Sequence, residues 1–556
     1  MKSLNKNIMP LISGLLILFF LSSCNKDGKK GGEKSAGLTS RDNTFNFNLT
    51  QQPTTLNPLS STDFYASQVQ SNIIEAMAKR NVDSYEWEPS LATNWEISPD
   101  GLLYTFKLRE GVKWHDGKPF TGSDVKFSFD AIMHPENKYK TAHQKPYFEN
   151  IESCKILDDG RIQFKAKRRY FANFDVVAGM DIIPKHLYED PNKDQEKLLN
   201  KTLVGTGPYK LSEWKRGKFI ILRKNMEWWG SAVYPKENSF ASIRMRFIKE
   251  GNIAIQRLEK GDLDYNSLTA EEYVKKTDGK KWGKTVKKVK YQNSAPKGYG
   301  FIGWNLKNPL FASKDVRTAL YMLIDREKMI EKYDFGLRLP ATGPWYQQSI
   351  YANPDVKPIP FSPEKALSLL RENGWKDSDG DQILDKEIDG KKVPFSFTIL
   401  EPNKEFTKYL VTFQQDAKKA GIDVKIKVVE WNTFITLLNE RKFEAVRLGW
   451  SGGSVDYDPK QIWHSSSANN KGSNFVSYSN SKVDQLIDKA RETLERDKRI
   501  PILREAYKLI AEDVPYAFLF NSKFGFYGHN SRLKRPKDTF KFGVGTAYWS
   551  ITQAIE

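Results

Sequence analysis

Three stretches of the chain carry side chains capable of catalysis or of holding an ion. Gly449-Trp450-Ser451-Gly452-Gly453 matches G-x-S-x-G, the elbow that exposes a serine nucleophile in many hydrolases. That chemistry needs a strand before the serine, a helix straight after it, and a histidine base with an orienting acid. Phe443-Glu444-Ala445-Val446 is strand-like, but the motif runs on into Ser454-Val455 and an Asp456-Tyr457-Asp458-Pro459 turn. His464 and His529 are the bases to consider, and nothing in their spacing ties either to Ser451. The six histidines contain no H-E-x-x-H pair, so there is no zinc-protease signal. Asp377, Asp379, Asp381 and Asp385 offer hard oxygen donors of the kind calcium takes. An EF-hand loop wants glycine at position six and glutamate at twelve, whereas here Gly380 stands at four and Ile388 at twelve. The stretch therefore reads as a polar turn. These residues predict no enzyme, no resident metal and no cofactor.

The elements around them alternate in type. Tyr104-Thr105-Phe106-Lys107-Leu108 and Val424-Lys425-Ile426-Lys427-Val428 have the period of half-buried strands. Val316, Ala319, Leu320, Leu323 and Ile324 follow helical spacing. A second helix starts at Ser362 with Pro363 at its first position and stops at Gly374. Interleaved strands and helices predict an α/β fold. About 510 residues from Phe45 onward suffice for two to four domains. The formal charge is +19, but the lysines are dispersed and no nucleic-acid module is legible. The excess reads as a solvated basic surface beside anionic lipid, with no nucleic-acid partner. Aromatics make up 13% of the chain and include 14 tryptophans, which suits a protein that sandwiches small ligands.

The N-terminus reads as an address. A basic start, Met1 to Lys6, leads into an apolar run from Ile8 to Leu21 and then Ser22-Ser23-Cys24. This is the layout of a secretory signal peptide over 1–23, too short for the roughly 20 residues of a spanning helix. Leu21-Ser22-Ser23-Cys24 resembles the bacterial lipobox, which implies lipidation at Cys24. Residues 24–44, rich in Lys, Gly and Ser, read as a flexible tether to the membrane. Cys154, the other cysteine, then has no partner, so the fold must stand without disulfides.

From Pro89-Ser90-Leu91-Ala92-Thr93-Asn94-Trp95 through Ser98-Pro99-Asp100-Gly101, and on from Tyr104 to Thr121, the chain resembles a known family. That family is the bacterial extracellular solute-binding proteins of the oligopeptide, dipeptide and nickel group. Further matches include Leu56-Asn57-Pro58-Leu59, Gly205-Thr206-Gly207-Pro208-Tyr209, Val316-Arg317-Thr318-Ala319-Leu320 and Asp458-Pro459 before Trp463-His464-Ser465. Ordered matches over some 500 residues are far more specific than one short motif. The signature itself reads as scaffold, with turns at Asp100-Gly101 and Asp116-Gly117 and Trp95, Tyr104, Phe106 and Trp114 packed on one sheet. The resemblance implies a two-lobed periplasmic binding protein fold, type II-like, with an inserted domain. Lobe I would comprise 45–76, 204–298 and 515–556, the inserted domain II 77–203, and lobe III 299–514. Hinge strands are expected near Phe301 to Asn305 and Pro515 to Phe520. The implied function is capture of a peptide or other small solute between the lobes by a monomer, with delivery to the transmembrane subunits of an ABC permease. The cell envelope is the implied location.

The resemblance also carries candidate ligand contacts. Arg447, Gly449 and Trp450 match an Arg-x-Gly-Trp that borders the cleft in peptide-binding relatives. Trp450 would cover an apolar side chain, and Arg447 with the Gly449 backbone would meet peptide polar groups. Relatives carry an Asp three residues after this Trp to pair with the ligand's ammonium; here that position is Gly453. Asp456 is the nearest replacement in a loop about two residues longer, with Asp458 beyond it. Asp63 and Tyr65 follow the Leu-Asn-Pro-Leu motif where relatives line the cleft. The departure at Gly453 leaves open a non-peptide solute such as a metal chelate, an oligosaccharide or a signalling molecule.

Overall fold

A computed structural model of the protein describes residues 43–61, 64–141, 144–468 and 472–551. The signal segment, Cys24 with its tether as far as residue 42, and Asp63 lie outside these residues, while Thr44, expected as the tether's last residue, already belongs to the first strand. Three large sheets, of seven, six and four strands, with helices between them make a mixed α/β fold, in line with the sequence. No helix among the described residues is long and apolar enough to cross a membrane.

The seven-stranded sheet runs 286–291, 525–530, 265–267, 44–49, 242–247, 219–224, 209–215. Thr44–Leu49 pairs in parallel with Ser242–Phe247, and Phe45 and Leu49 point into a core shared with Ile220, Leu222, Met245, Tyr527 and Trp549. The four-stranded antiparallel sheet runs 92–97, 103–108, 162–166, 151–156. There Tyr104 and Phe106 are buried beside Trp114, with Trp95 against Phe106. Its helix Gly122–Met133 starts where the Thr121 N–H donates to Asp124 Oδ2 at 2.9 Å. Gly101 and Gly117 take φ of +70° and +88°, the left-handed geometry that the two Asp-Gly turns need.

The six-stranded sheet runs 338–340, 516–522, 299–304, 445–450, 396–401, 423–428. Ser396–Glu401 pairs in parallel with both Asp423–Val428 and Ala445–Trp450, and the helix Thr407–Lys419 buries Leu410, Phe413 and Ala417 against it. Val316, Ala319, Leu320, Leu323 and Ile324 are all buried in the same core. Helix Pro363–Glu372 ends before Gly374, whose φ is +84°.

The strands 299–304 and 516–522 lie side by side in the six-stranded sheet, while 286–291 and 525–530 lie side by side in the seven-stranded one. Residues 292–298 and 523–524 thus carry the chain between the two sheets. The strands expected near 301–305 and 515–520 are embedded in sheet, and the crossings are the short segments beside them.

Candidate ligand-binding site

The strand Ala445–Trp450 begins as a fully paired sheet element and loses one neighbour. On one side it pairs with Tyr299–Trp304 over its whole length. On the other, the rungs to Ser396–Glu401 are Ile399↔Ala445 and Leu400↔Val446. From Arg447 to Trp450 no described strand pairs with that second edge, because the neighbouring strand ends at Glu401, one residue beyond its last rung. An extended chain laid there would find unpaired main-chain groups.

Side chains beside this free edge set its electrostatics. Arg447 lies with its guanidinium 3.5 Å from the Phe406 ring centroid and 3.7 Å from Glu401 Oε1. Glu401 is fully buried; burial pushes its carboxyl up to about 7 against the opposing pull of Arg447. The Asn403 N–H donates to Oε1 at 2.8 Å, whereas Oε2 has no hydrogen-bond partner among the described residues. A buried orphan acceptor costs free energy unless a donor arrives.

Trp450 is half-buried. Its ring stacks 6.2 Å from Phe301 and 5.8 Å from Phe475, and its Nε1 has no hydrogen-bond partner among the described residues. The loop after it turns back hard on a crossing segment. A Cβ at Gly452 would stand 2.3 Å from the Pro296 carbonyl carbon, and one at Gly298 would stand 2.4 Å from the Trp450 oxygen. Both positions need glycine for this backbone approach.

Asp456 is not a free carboxylate. Its oxygens accept from Arg496 Nε and Nη2 at 3.0 and 2.7 Å, from Arg499 Nη2 at 3.0 Å, and from the Tyr351 hydroxyl. Its side chain is 5% exposed and that of Arg499 is 3% exposed. Burial works to raise the Asp456 carboxyl, but the bonds from Arg496 and Tyr351 and the two positive charges outweigh it and hold it below the usual range. Arg496 and Arg499 sit in the first turn of helix Arg496–Asp513, where the macrodipole disfavours cations and a nearby carboxylate relieves them. The expected pairing of Asp456 with a ligand ammonium therefore meets a carboxylate already saturated by protein donors.

Asp458 also faces protein. Its Oδ2 accepts from the Tyr170 hydroxyl at 2.7 Å, its Oδ1 from the Lys460 N–H at 3.0 Å, and Arg491 stands 3.5 Å away. Tyr170 belongs to the segment that comes after the four-stranded sheet. Beside it Phe171 donates its N–H to the Arg491 carbonyl at 2.9 Å and lies 4.0 Å under the Arg499 guanidinium. Asp456 and Asp458 thus form one seam between the 454–499 region and residues 170–171. Tyr65 sits elsewhere, packed on the core of the seven-stranded sheet with its hydroxyl 2.8 Å from Thr50 Oγ1.

Sequence reasoning missed Glu401, Phe406, Tyr351, Arg496, Arg499 and Tyr170. The i, i+3 spacing of Arg496 and Arg499 puts both on one helix face, which is a usable signal. The serine elbow is not built, since no helix comes after Trp450 until Lys460–Trp463. His464 is paired with Asp484 and Asp488, and burial pushes the His529 imidazole down to about 4. In the Asp377 loop, Asp379 and Asp385 pair with Lys392 while Asp377 accepts the Gly380 and Gln382 N–H groups. That is the bonding of a polar turn.

Comparison with known proteins gives one consistent answer. The family described as "Bacterial extracellular solute-binding proteins, family 5 Middle" matches residues 86–472. The chain is 31% identical over 531 residues to the oligopeptide-binding protein AppA of Bacillus subtilis, covering 93% of each chain. The solved structure of that protein in complex with a nonapeptide superposes with a TM-score of 0.71 at 28% identity, covering 92% of this chain and 99% of the other. NikZ from Campylobacter jejuni in complex with Ni(L-His) superposes with a TM-score of 0.72 at 25% identity, with 92% and 99% covered.

Proposed function

The chain belongs to family 5 of the bacterial extracellular solute-binding proteins, a family of binding proteins rather than enzymes, and on that footing we propose that it captures an extended peptide for an ABC importer. The observation that carries the reading is the unpaired edge of Arg447–Trp450 beside the crossings 292–298 and 523–524. A peptide added there as a strand gains main-chain hydrogen bonds, with Trp450 against one of its side chains and Arg447 near its polar groups. The buried Glu401 Oε2 supplies one further acceptor. AppA, which takes a nonapeptide, is the relative that supports this class of ligand.

We divide the chain into lobe I, 45–76, 204–298 and 523–556, an inserted domain, 77–203, and lobe III, 299–522, because strand 516–522, expected in lobe I, pairs with 299–304 and 338–340. The two crossings serve as the hinge. Ligand in the cleft shifts an open population toward a closed one, and the permease's transmembrane subunits read the closed form. The protein works as a monomer at the cell envelope, held by lipid on Cys24. Because Asp456 is saturated by arginines, the ligand's amino terminus finds no carboxylate there. The site suits a longer peptide whose ends lie outside it.

A thermal-shift screen of the mature chain tests the ligand class, using mixed peptides, nickel–histidine and oligosaccharides. Ligand at about 100 times its dissociation constant adds roughly 2.7 kcal/mol. Stabilisation by peptides alone is expected; stabilisation by nickel–histidine alone would replace peptide with a chelate as the cargo.

A further inference from the structure

Away from the 445–459 region, the structure holds a cavity of about 450 Å³ between the seven-stranded sheet and residues 74–79. Its walls are aromatic. Tyr209, Trp228 and Phe240 are buried in them, and Trp229 and Tyr234 are half-buried. Three carboxylates line it, Glu75, Asp181 and Glu237, against a single ammonium, Lys79. In a chain of formal charge +19, this local excess of acid stands out.

The partners of these groups can be traced one by one. Lys79 Nζ lies 2.8 Å from Glu237 Oε1 and 3.3 Å from the Tyr234 ring centroid, and the Arg109 guanidinium lies 4.2 Å from that of Trp229, so one acid is neutralised and both rings carry a cation on one face. Glu75 accepts from the indole N–H groups of Trp228 and Trp229 at 3.0 and 2.8 Å, which fixes both rings in the wall. Burial still holds its carboxyl above the usual range. Asp181 has no such support. Among the described residues no hydrogen bond or ion pair reaches its carboxylate. Asp181 is exposed and opens on the cavity, and the protein atoms crowded around it push its carboxyl up to about 6. The Ile182 N–H donates to the Glu75 carbonyl at 3.2 Å, so Asp181 is held beside Glu75 by main chain.

Spacing argues against a metal ion. Among the described residues, the trio of metal-capable side chains with ligand atoms within 4.8 Å of one another is Asp377, Asp379 and Asp385. The cavity's carboxylates do not converge on one point as a hard cation requires. Separate carboxylates on aromatic walls fit a cation with an apolar body.

We propose that this cavity is a second binding site, for a small organic amine whose ammonium meets Asp181 and whose apolar body lies on Trp229 and Tyr234. It goes beyond the peptide reading and does not depend on it. Phenethylamine is the probe, titrated into the full mature chain by calorimetry and by tryptophan fluorescence, with phenethyl alcohol as the neutral control. The amine binds one to one, at least about tenfold tighter than the alcohol, since a charge-assisted hydrogen bond distinguishes them. Asp181→Asn removes that preference, and Asp181→Glu, which keeps the charge, retains most of it. Equal affinity for amine and alcohol in the parent protein overturns the proposal, whether or not the asparagine variant folds. So does an Asp181→Asn variant with native circular dichroism that binds the amine as the parent does.

Discussion

Replacing Asp456 with asparagine separates a structural clamp from a ligand-binding carboxylate. The substitution leaves Arg499, 3% exposed, without its counter-charge, and takes the bidentate partner from Arg496. Breaking a buried pair by removing one partner costs about 3–5 kcal/mol. Arg496 is 32% exposed and can be rehydrated, and Arg499 keeps the Thr493 and Leu494 carbonyls, so a cost near the lower end, about 3 kcal/mol, is expected. The assay is denaturant unfolding of the transition that contains the 299–522 core, run as a double-mutant cycle with Arg499→Met. A coupling above about 1.5 kcal/mol is expected for groups in direct contact. The Asp456 carboxyl is held below its ordinary value, so its contribution is present at neutral pH and lost as pH falls below about 4. In parallel, affinity is measured for one peptide with a free and with an acetylated amino terminus. A clamp role predicts that Asp456→Asn weakens both by the same factor. A loss confined to the free-amine peptide, with coupling under about 0.5 kcal/mol, would show the carboxylate to be a ligand contact instead.

Tyr170→Phe removes the 2.7 Å bond to Asp458 across the seam, at a net cost of about 1 kcal/mol. If that seam holds the closed form, peptide affinity falls about fivefold and the ligand-free radius of gyration by X-ray scattering rises. Glu401 is raised to about 7 in the folded state, so the fold binds the extra proton between about pH 4.5 and 7. Stability therefore declines as pH rises through that window, by up to about 1.4 kcal/mol per unit; Glu401→Gln flattens the decline, read from melting curves at each pH. Trp450→Ala lowers peptide affinity by about tenfold or more in calorimetry while the 299–304 and 445–450 pairing persists by hydrogen exchange.

The class of fold was legible because local pattern and local structure agree. The alternation in Tyr104–Leu108 buries Tyr104 and Phe106, and Ser362-Pro363 with Gly374 brackets a helix that forms over Pro363–Glu372. The seam was not legible, since it is made by pairs such as Tyr351 with Asp456 and Tyr170 with Asp458, separated by 105 and 288 residues. No local spacing encodes which arginines will fill a loop carboxylate. The free edge at Arg447 was hidden for a related reason. Strand propensity marks Ala445–Trp450 as extended but says nothing of where the neighbouring strand ends.

Whether a peptide is held through its main chain along the Arg447–Trp450 edge is decided by calorimetric titration of the mature chain. The ligands are a peptide that emerges from the thermal-shift screen and versions of it N-methylated at successive amides. Methylation at alternate positions is expected to weaken binding by about tenfold, because each such amide loses a hydrogen bond and leaves an acceptor unpaired. Methylation at the intervening positions changes affinity little. Equal affinity for all versions would contradict strand addition and place recognition in the side chains instead.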